Sequence, residues 1–342
     1  MSGMNWTRGH WRPHTLTRCA CVLQYVNHKP IHKEQTMLKK PRARAKWRLL
    51  PLICVGTLLV GLTPLANAGP TLDKIRQSGK IVLGHRESSV PFSYMDGNKR
   101  PVGYALDLCL KLAEAVRKQL DLKSLTPEYV MVTPSNRITM VAEGKIDLEC
   151  GSTTNNAERR ETVAFTVPHY ITGARYMVRS DSRITDIVGF ENKRMVSTKG
   201  TTPLKAVARA NRERGLNMVL QEAPDHARAM EMVEKNESDG FVMDDVLLYG
   251  LIASNPHPEK LKVVGKFLTV EPLAIMLPKN DPEFKSILDH EMKRLIVSRE
   301  ANAIYDQWFM QPIAPRNTSL NLPMNYLLRD FWKYPTDQVP AV

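Results

Sequence analysis

The sequence predicts an α/β protein with mostly parallel sheets, in two halves that face each other across the carboxyl ends of their strands. Three observations predict it. Short apolar runs alternate with helix-period segments from Lys80 to Phe309, the pattern of βα units. The expected strand ends carry polar residues from both halves: Arg86, Ser152-Thr153-Thr154, Thr198 with Thr201, and Asp244. Open α/β sheets bind ligands at such ends, and two facing lobes make a cleft that can close on a small molecule. Finally, residues 69–342 are enough for one large domain or two lobes, with no internal repeat.

The first 68 residues stand apart. They hold eleven Lys or Arg against one acid, Glu34, and so account for +10 of the formal net charge of +13 of the 342-residue chain. The basic balance belongs to this prefix and gives no support to nucleic-acid binding by the folded part. The prefix ends in a basic run (39–48), an apolar run (49–62) and Ala66-Asn67-Ala68-Gly69, the three parts of a secretory signal. A run this short falls below the ~20 residues of a membrane span. Cys54 follows Ile53 rather than a small residue, which argues against a lipoprotein cysteine. Residues 1–36 fit no part of a signal. The expectation is a non-native extension over 1–36, a signal peptide over 37–68 starting at Met37, and an exported chain beginning at or near Gly69.

In order, Thr71 caps an expected helix over 72–77 closed by Gly79, and Lys80-Ile81-Val82-Leu83-Gly84 reads as a strand. Asp96-Gly97-Asn98 is a hairpin signal between Phe92-Ser93-Tyr94 and Val102-Gly103-Tyr104. Leu108, Leu112, Ala115 and Val116 mark a helix over 106–120, followed by a strand over 129–132 and a helix over 138–143 stopped by Gly144. Lys145-Ile146-Asp147-Leu148-Glu149 reads as the next strand. After a strand over 169–178 come a strand over 194–198, a helix with Pro203 in its first turn, a strand over 218–220, a helix over 225–235 and a strand over 241–243. The strand over 272–277 returns to the first half; helices over 283–297, opened by Asp281-Pro282, and over 299–309 close the pattern.

The stretch 150–160, C-G-S-T-T-N-N-A-E-R-R, is the candidate ligand site. Small hydroxyl residues at a strand end expose side-chain and backbone donors, and a helix begun by Asn155 or Asn156 adds free N–H groups and partial positive charge. Arg159, about a turn later, offers a two-pronged guanidinium to a carboxylate. Read alone, Arg86 and Arg137 are surface charges, His226 a surface histidine and Asp244 a helix cap. Of the two cysteines after residue 69, Cys109 falls on an apolar helical stripe and reads as a buried thiol; pairing with Cys150 cannot be read from spacing. No Gly-x-Gly-x-x-Gly, Walker sequence, nucleophile triad or H-E-x-x-H pair occurs, so no cofactor, metal or enzyme is expected. The rival class is a lyase using Glu149 or Glu87 as acid or base. A signalling receptor is disfavoured because no second spanning segment or output domain follows.

From Leu72 to about Tyr334 the chain resembles the periplasmic solute-binding proteins that feed polar amino acids to ABC transporters, and among them the glutamate/aspartate binders. The resemblance rests on G-H-R-E-S-S-V-P-F-S-Y (84–94), N-R-I (136–138), E-C-G-S-T-T-N-N-A-E-R (149–159), G-T-T (200–202), D-H (225–226) and M-D-D (243–245). It implies a type II, Venus-flytrap periplasmic-binding-protein fold with a hinge of two crossing strands near Tyr176 and Ala274, lobe 1 spanning 69–176 plus 271–342 and lobe 2 spanning 177–270. It also implies that Arg159, Thr154 and Thr201 hold an α-carboxylate, Asp244 and Ser152 an α-ammonium, and Arg86, Arg137 and His226 a side-chain carboxylate, with Thr198 beside them. The implied ligand is L-glutamate or L-aspartate, the implied partner a membrane permease, the place the periplasm and the state a monomer. Three Arg against one Asp match two negative charges and one positive. Where close relatives have a serine before N-R-I this chain has Pro134, with Ser135 as the substitute; their second thiol is replaced near Ile275, which leaves Cys150 unpaired.

Overall fold

Two five-stranded sheets, each flanked by helices, organise residues 69–339, the part of the chain that the computed structural model describes. The expected extension (1–36) and signal peptide (37–68) lie outside the described residues. In the first sheet the strands run in the order Thr126–Met131, Lys80–His85, Leu148–Glu149, Met276–Pro278, Val163–Phe165. The first three are parallel, with Leu83 opposite Leu148. Met276–Pro278 enters antiparallel between its neighbours, with Met276 opposite both Glu149 and Phe165. In the second sheet the order is Val219–Ala223, Arg194–Thr198, Gly240–Asp244, Ala174–Arg179, Leu261–Val264, with Ala174–Arg179 antiparallel to both its neighbours.

The sheets are joined by a separate antiparallel pair, Tyr170–Thr172 with Glu271–Leu273. Each expected crossing strand is thereby broken in two. The run over 169–178 divides at Gly173, and the run over 272–277 after Leu273, because each pairs first in the joint and then in a sheet. Tyr176 pairs with Val242, well inside the second sheet.

Burial follows the sequence pattern. The helix Tyr104–Gln119 turns Leu108, Cys109, Leu112 and Val116 into the first lobe, against Pro282–Val297 and Glu300–Phe309. Aromatic rings knit this face to the joint: Tyr305 stacks on Phe309 at 4.2 Å, and Phe92 meets Tyr170 edge-on at 5.2 Å. Val132, Val141, Ile146, Phe165 and Met276 fill the other face. Tyr176, Phe190, Met195, Val207 and Val242 form a core of the second lobe.

Two expectations are corrected. Cys109 and Cys150 are not free thiols: they form a disulfide across 41 residues of sequence. Cys109 sits on the inner helix face and Cys150 directly follows the central strand, so packing brings their Cα atoms to 6.1 Å, within bridging distance. The partner of Cys150 therefore comes from the helix, and Ile275 is simply buried. The other correction is Thr71, which does not cap its helix. Pro70 starts that helix earlier, at Pro70–Ser78, and the Thr71 N–H donates to Asp281 Oδ2 at 2.9 Å.

Candidate functional site

Each candidate side chain is placed by the end of an element. The strand Lys80–His85 delivers Arg86, whose N–H donates to Ser93 Oγ at 2.9 Å. Arg137 opens the short helix Arg137–Ala142. Beyond Leu148–Glu149 the chain runs beside the joint: Ala274 N–H donates to Thr153 O at 3.0 Å and Asn155 N–H to Pro272 O at 2.8 Å. That path presents Ser152 and Thr154. Asn156 is the cap, its Oδ1 accepting the Arg159 N–H at 2.9 Å, which fixes the start of Ala157–Arg160. From the second lobe, Thr198 ends its strand, Thr201 precedes the helix Thr202–Arg214, His226 opens the helix capped by Asp225, and Asp244 ends Gly240–Asp244.

All nine candidates are buried, at most 7% exposed. Six of them, Arg137, Ser152, Thr154, Thr201, His226 and Asp244, line one space between the lobes, together with Thr202, Pro203, Met243 and Leu247. That space is about 10 Å³, at the lower limit of room for one water, so any larger solute requires the lobes to part. Arg86, Arg159 and Thr198 are not among its lining residues. Around it are buried polar atoms without a hydrogen-bond partner in the protein: Arg86 Nη1, Arg137 Nε, Asp244 Oδ1 and Glu149 Oε1. Unpartnered buried groups are costly, and a cluster of them drawn from two lobes marks a place built for a ligand.

The remaining polar atoms close the lobes on each other. Arg159 donates from Nη1 to Thr154 O at 2.9 Å and from Nη2 across the cleft to Gly200 O at 3.3 Å. Thr154 and Thr202 bring their hydroxyls to 3.0 Å, and Thr202 donates to Glu271 Oε2 at 2.8 Å. Thr201 donates to Thr198 O at 2.6 Å, and Thr198 Oγ1 meets His226 Nδ1 at 2.8 Å. Gly200 has φ +79°, and a Cβ there would stand 2.7 Å from Pro134 O, so a side chain would hold the lobes apart.

Burial sets the electrostatics. The Arg86 guanidinium is pushed down to about 9 by desolvation and by Arg137, against the pull of Glu149. Arg159 falls to about 10 for the same first reasons, burial and Arg137. Desolvation, with Arg86 and Arg137 nearby, holds His226 well below its ordinary value and therefore neutral. Desolvation, with Glu271 and Asp245 nearby, holds Asp244 well above the usual carboxylate range. Anionic acceptors beside the arginines and a cation beside Asp244 would relieve all of these strains together.

The structure changes the charge count. Glu149 and Glu271 are as buried as the candidates, so three Arg face three carboxylates rather than one. Sequence reading took Glu149 for a strand residue; Glu271, next to Pro272 at the joint, carried no local signal. Ser135, the expected substitute beside Pro134, is exposed and meets Thr133 Oγ1 at 3.0 Å. Arg160 binds Asn155 and Asp245 accepts from Thr172, the supporting roles their positions suggest.

Two α/β lobes on a two-strand joint, enclosing buried donors and acceptors from both, define a protein that closes over a small charged solute. The chain belongs to the bacterial extracellular solute-binding proteins, family 3, whose model matches residues 81–311. It is 38% identical over 271 residues to the glutamate/aspartate import solute-binding protein of Escherichia coli, covering 79% of this chain and 90% of that one. It is also 38% identical over 291 residues to the L-glutamate/L-aspartate-binding protein of Pseudomonas aeruginosa, covering 85% and 96%. Among solved structures, a mutant of ArgBP from T. maritima aligns over 70% of this chain and 100% of its own with a TM-score of 0.63 at 22% identity, a likeness of fold.

Proposed function

We propose that this chain captures L-glutamate or L-aspartate between its lobes in the periplasm and presents it, as a monomer, to the permease of an ABC transporter. The carrying observation is the set of unpartnered buried atoms, cationic donors on Arg86 and Arg137 and an acceptor on Asp244, converging from two lobes. In this reading Arg159 with the backbone about Thr154 and Thr201 takes the α-carboxylate, and Asp244 with Ser152 the α-ammonium. Arg86, Arg137 and neutral His226, held by Thr198, take the side-chain carboxylate. The Thr154 and Thr201 hydroxyls already have protein acceptors in the closed form, so backbone N–H groups are the donors left to serve the ligand there. A neutral side chain would leave a buried arginine unpaired at a cost of about 3–5 kcal/mol, which excludes glutamine.

We read the chain as a carrier and not a lyase. Glu87 is exposed, and Glu149 is wholly buried, accepts from Thr153 and sets its other oxygen 3.8 Å from Arg86, so neither is placed as a free acid or base in the cleft. Calorimetric titration of the mature protein with a panel of amino acids tests the assignment. Glutamate and aspartate bind and glutamine does not; tighter binding of glutamine, arginine or a sugar overturns it.

A further inference from the structure

We propose that Glu149 sets the charge tolerance of the site, limiting the ligand's distal group to a single negative charge. The inference rests on the reading that Arg86 and Arg137 face that distal group.

Glu149 is wholly buried and fixed by register on both sides, opposite Gly84 in one neighbouring strand and Met276 in the other. Its Oε2 accepts the Thr153 hydroxyl at 2.6 Å. Its Oε1 lies 3.8 Å from Arg86 Nη1, and neither atom has a hydrogen-bond partner. Glu149 is therefore close enough to Arg86 to compensate charge and too far to occupy its N–H, which stays available to a ligand. Gly151 makes room for this pair: a Cβ there would stand 2.4 Å from Glu149 Oε1 and 3.0 Å from Arg86 Cγ.

The local sum follows. At the distal end Arg86 and Arg137 contribute two positive charges, Glu149, the one carboxylate that acts on Arg86, one negative, and His226, which faces both arginines, none; Arg159, Asp244 and Glu271 also act on Arg137 or Arg86 and belong to the end that takes the ligand's α-groups. The remaining single positive charge matches one carboxylate. A dianionic group would leave a buried negative charge uncompensated, the arrangement that proteins tolerate least. Glu149 does not touch the ligand; it acts through Arg86 and Arg137.

O-phospho-L-serine is the probe, because its phosphate ester passes from one negative charge to nearly two around pH 6 while its shape is constant. Wild-type protein is titrated with it and with glutamate at pH 5 and pH 8, and so is Glu149→Gln, which keeps the shape and the Thr153 bond but removes the charge. In wild type, phosphoserine affinity relative to glutamate falls by about tenfold or more from pH 5 to pH 8, and in Glu149→Gln that fall disappears or reverses. A merely structural role for Glu149 would change both ligands alike at both pH values, and that result overturns the proposal. Should the variant not fold, the wild-type profile decides, because equal relative affinity at the two pH values overturns it as well. Absence of glutamate and aspartate binding to wild type refutes instead the ligand assignment beneath it.

Discussion

Thr154 of the first lobe and Thr202 of the second stand with their hydroxyls 3.0 Å apart, and because Thr202 donates to Glu271, the proton between them must come from Thr154. A single relay thus runs from the ligand motif through the opposite lobe to the joint. Together with the Arg159 bond to Gly200 O it ties the closed state.

Glutamate or aspartate will favour closure, because a ligand touching both lobes binds the closed form better, and only that difference shifts the population. Small-angle scattering will show a smaller radius with ligand. Stability at a hundred times Kd will rise by roughly 2.7 kcal/mol. Thr202→Val, which leaves Glu271 without its donor, will give a larger radius in the absence of ligand. An unchanged radius in that variant removes the relay from the closing mechanism.

Arg159→Ala will abolish binding of every amino acid, whereas Arg86→Ala will weaken chiefly the dicarboxylic ones. One arginine serves a group that all amino acids share, the other a side-chain group. Loss of a charge-assisted hydrogen bond costs about 1.5–3 kcal/mol, which is roughly ten- to a hundredfold in affinity. Calorimetry on both variants with glutamate and a weak neutral ligand decides; equal losses in both would refute the division.

Reduction of Cys109–Cys150 will lower stability without unmaking the sheets. A loop of 41 residues corresponds to about 4 kcal/mol of unfolded-chain entropy. Denaturant melts with and without reductant measure this. Glutamate affinity should fall too, since Cys150 anchors the motif that carries Ser152 and Thr154.

His169 makes the protein acid-sensitive. Its ring is wholly buried beside Phe92 and Tyr104, neither nitrogen has a hydrogen-bond partner of ordinary geometry, and burial lowers it to about 3 despite the nearby Gly151 carbonyl. The unfolded chain protonates near 6.5 and the folded one only near 3, so stability is full above pH 6.5 and is lost as pH falls toward 3. That difference amounts to on the order of 5 kcal/mol. Stability curves of wild type and His169→Gln should diverge only in this window; parallel curves would remove His169 as the cause.

The alternation of strands and helices, the polar strand ends and the Asn156 cap were legible because each depends on neighbours in sequence. Arg86 and Asp244 were legible as polar strand ends, but their burial and roles, and Arg137 altogether, only through resemblance, since an isolated charge carries no signal of its burial. The disulfide was hidden because the Cys109–Cys150 distance is set by a helix packing on a strand. Glu271 and the place of Glu149 beside Arg86 were hidden for the same reason: the partners of each, Thr153 apart, come from distant segments, and only the closed fold shows that they share the arginines' surroundings.

Met276–Pro278 lies in the middle of the first sheet, between Leu148–Glu149 and Val163–Phe165, although more than a hundred residues of chain separate it from either. A polypeptide emerging amino end first can therefore finish its second lobe, whose five strands fall between Ala174 and Val264, while its first lobe still lacks an interior strand. Until residue 278 has emerged, Glu149 and Phe165 offer unpaired strand edges. The order of synthesis thus delays completion of the lobe that carries Arg86, Arg137 and the ligand motif, and a nascent chain stalled before that strand would have the hinge and the second lobe's contacts but no lobe to close against.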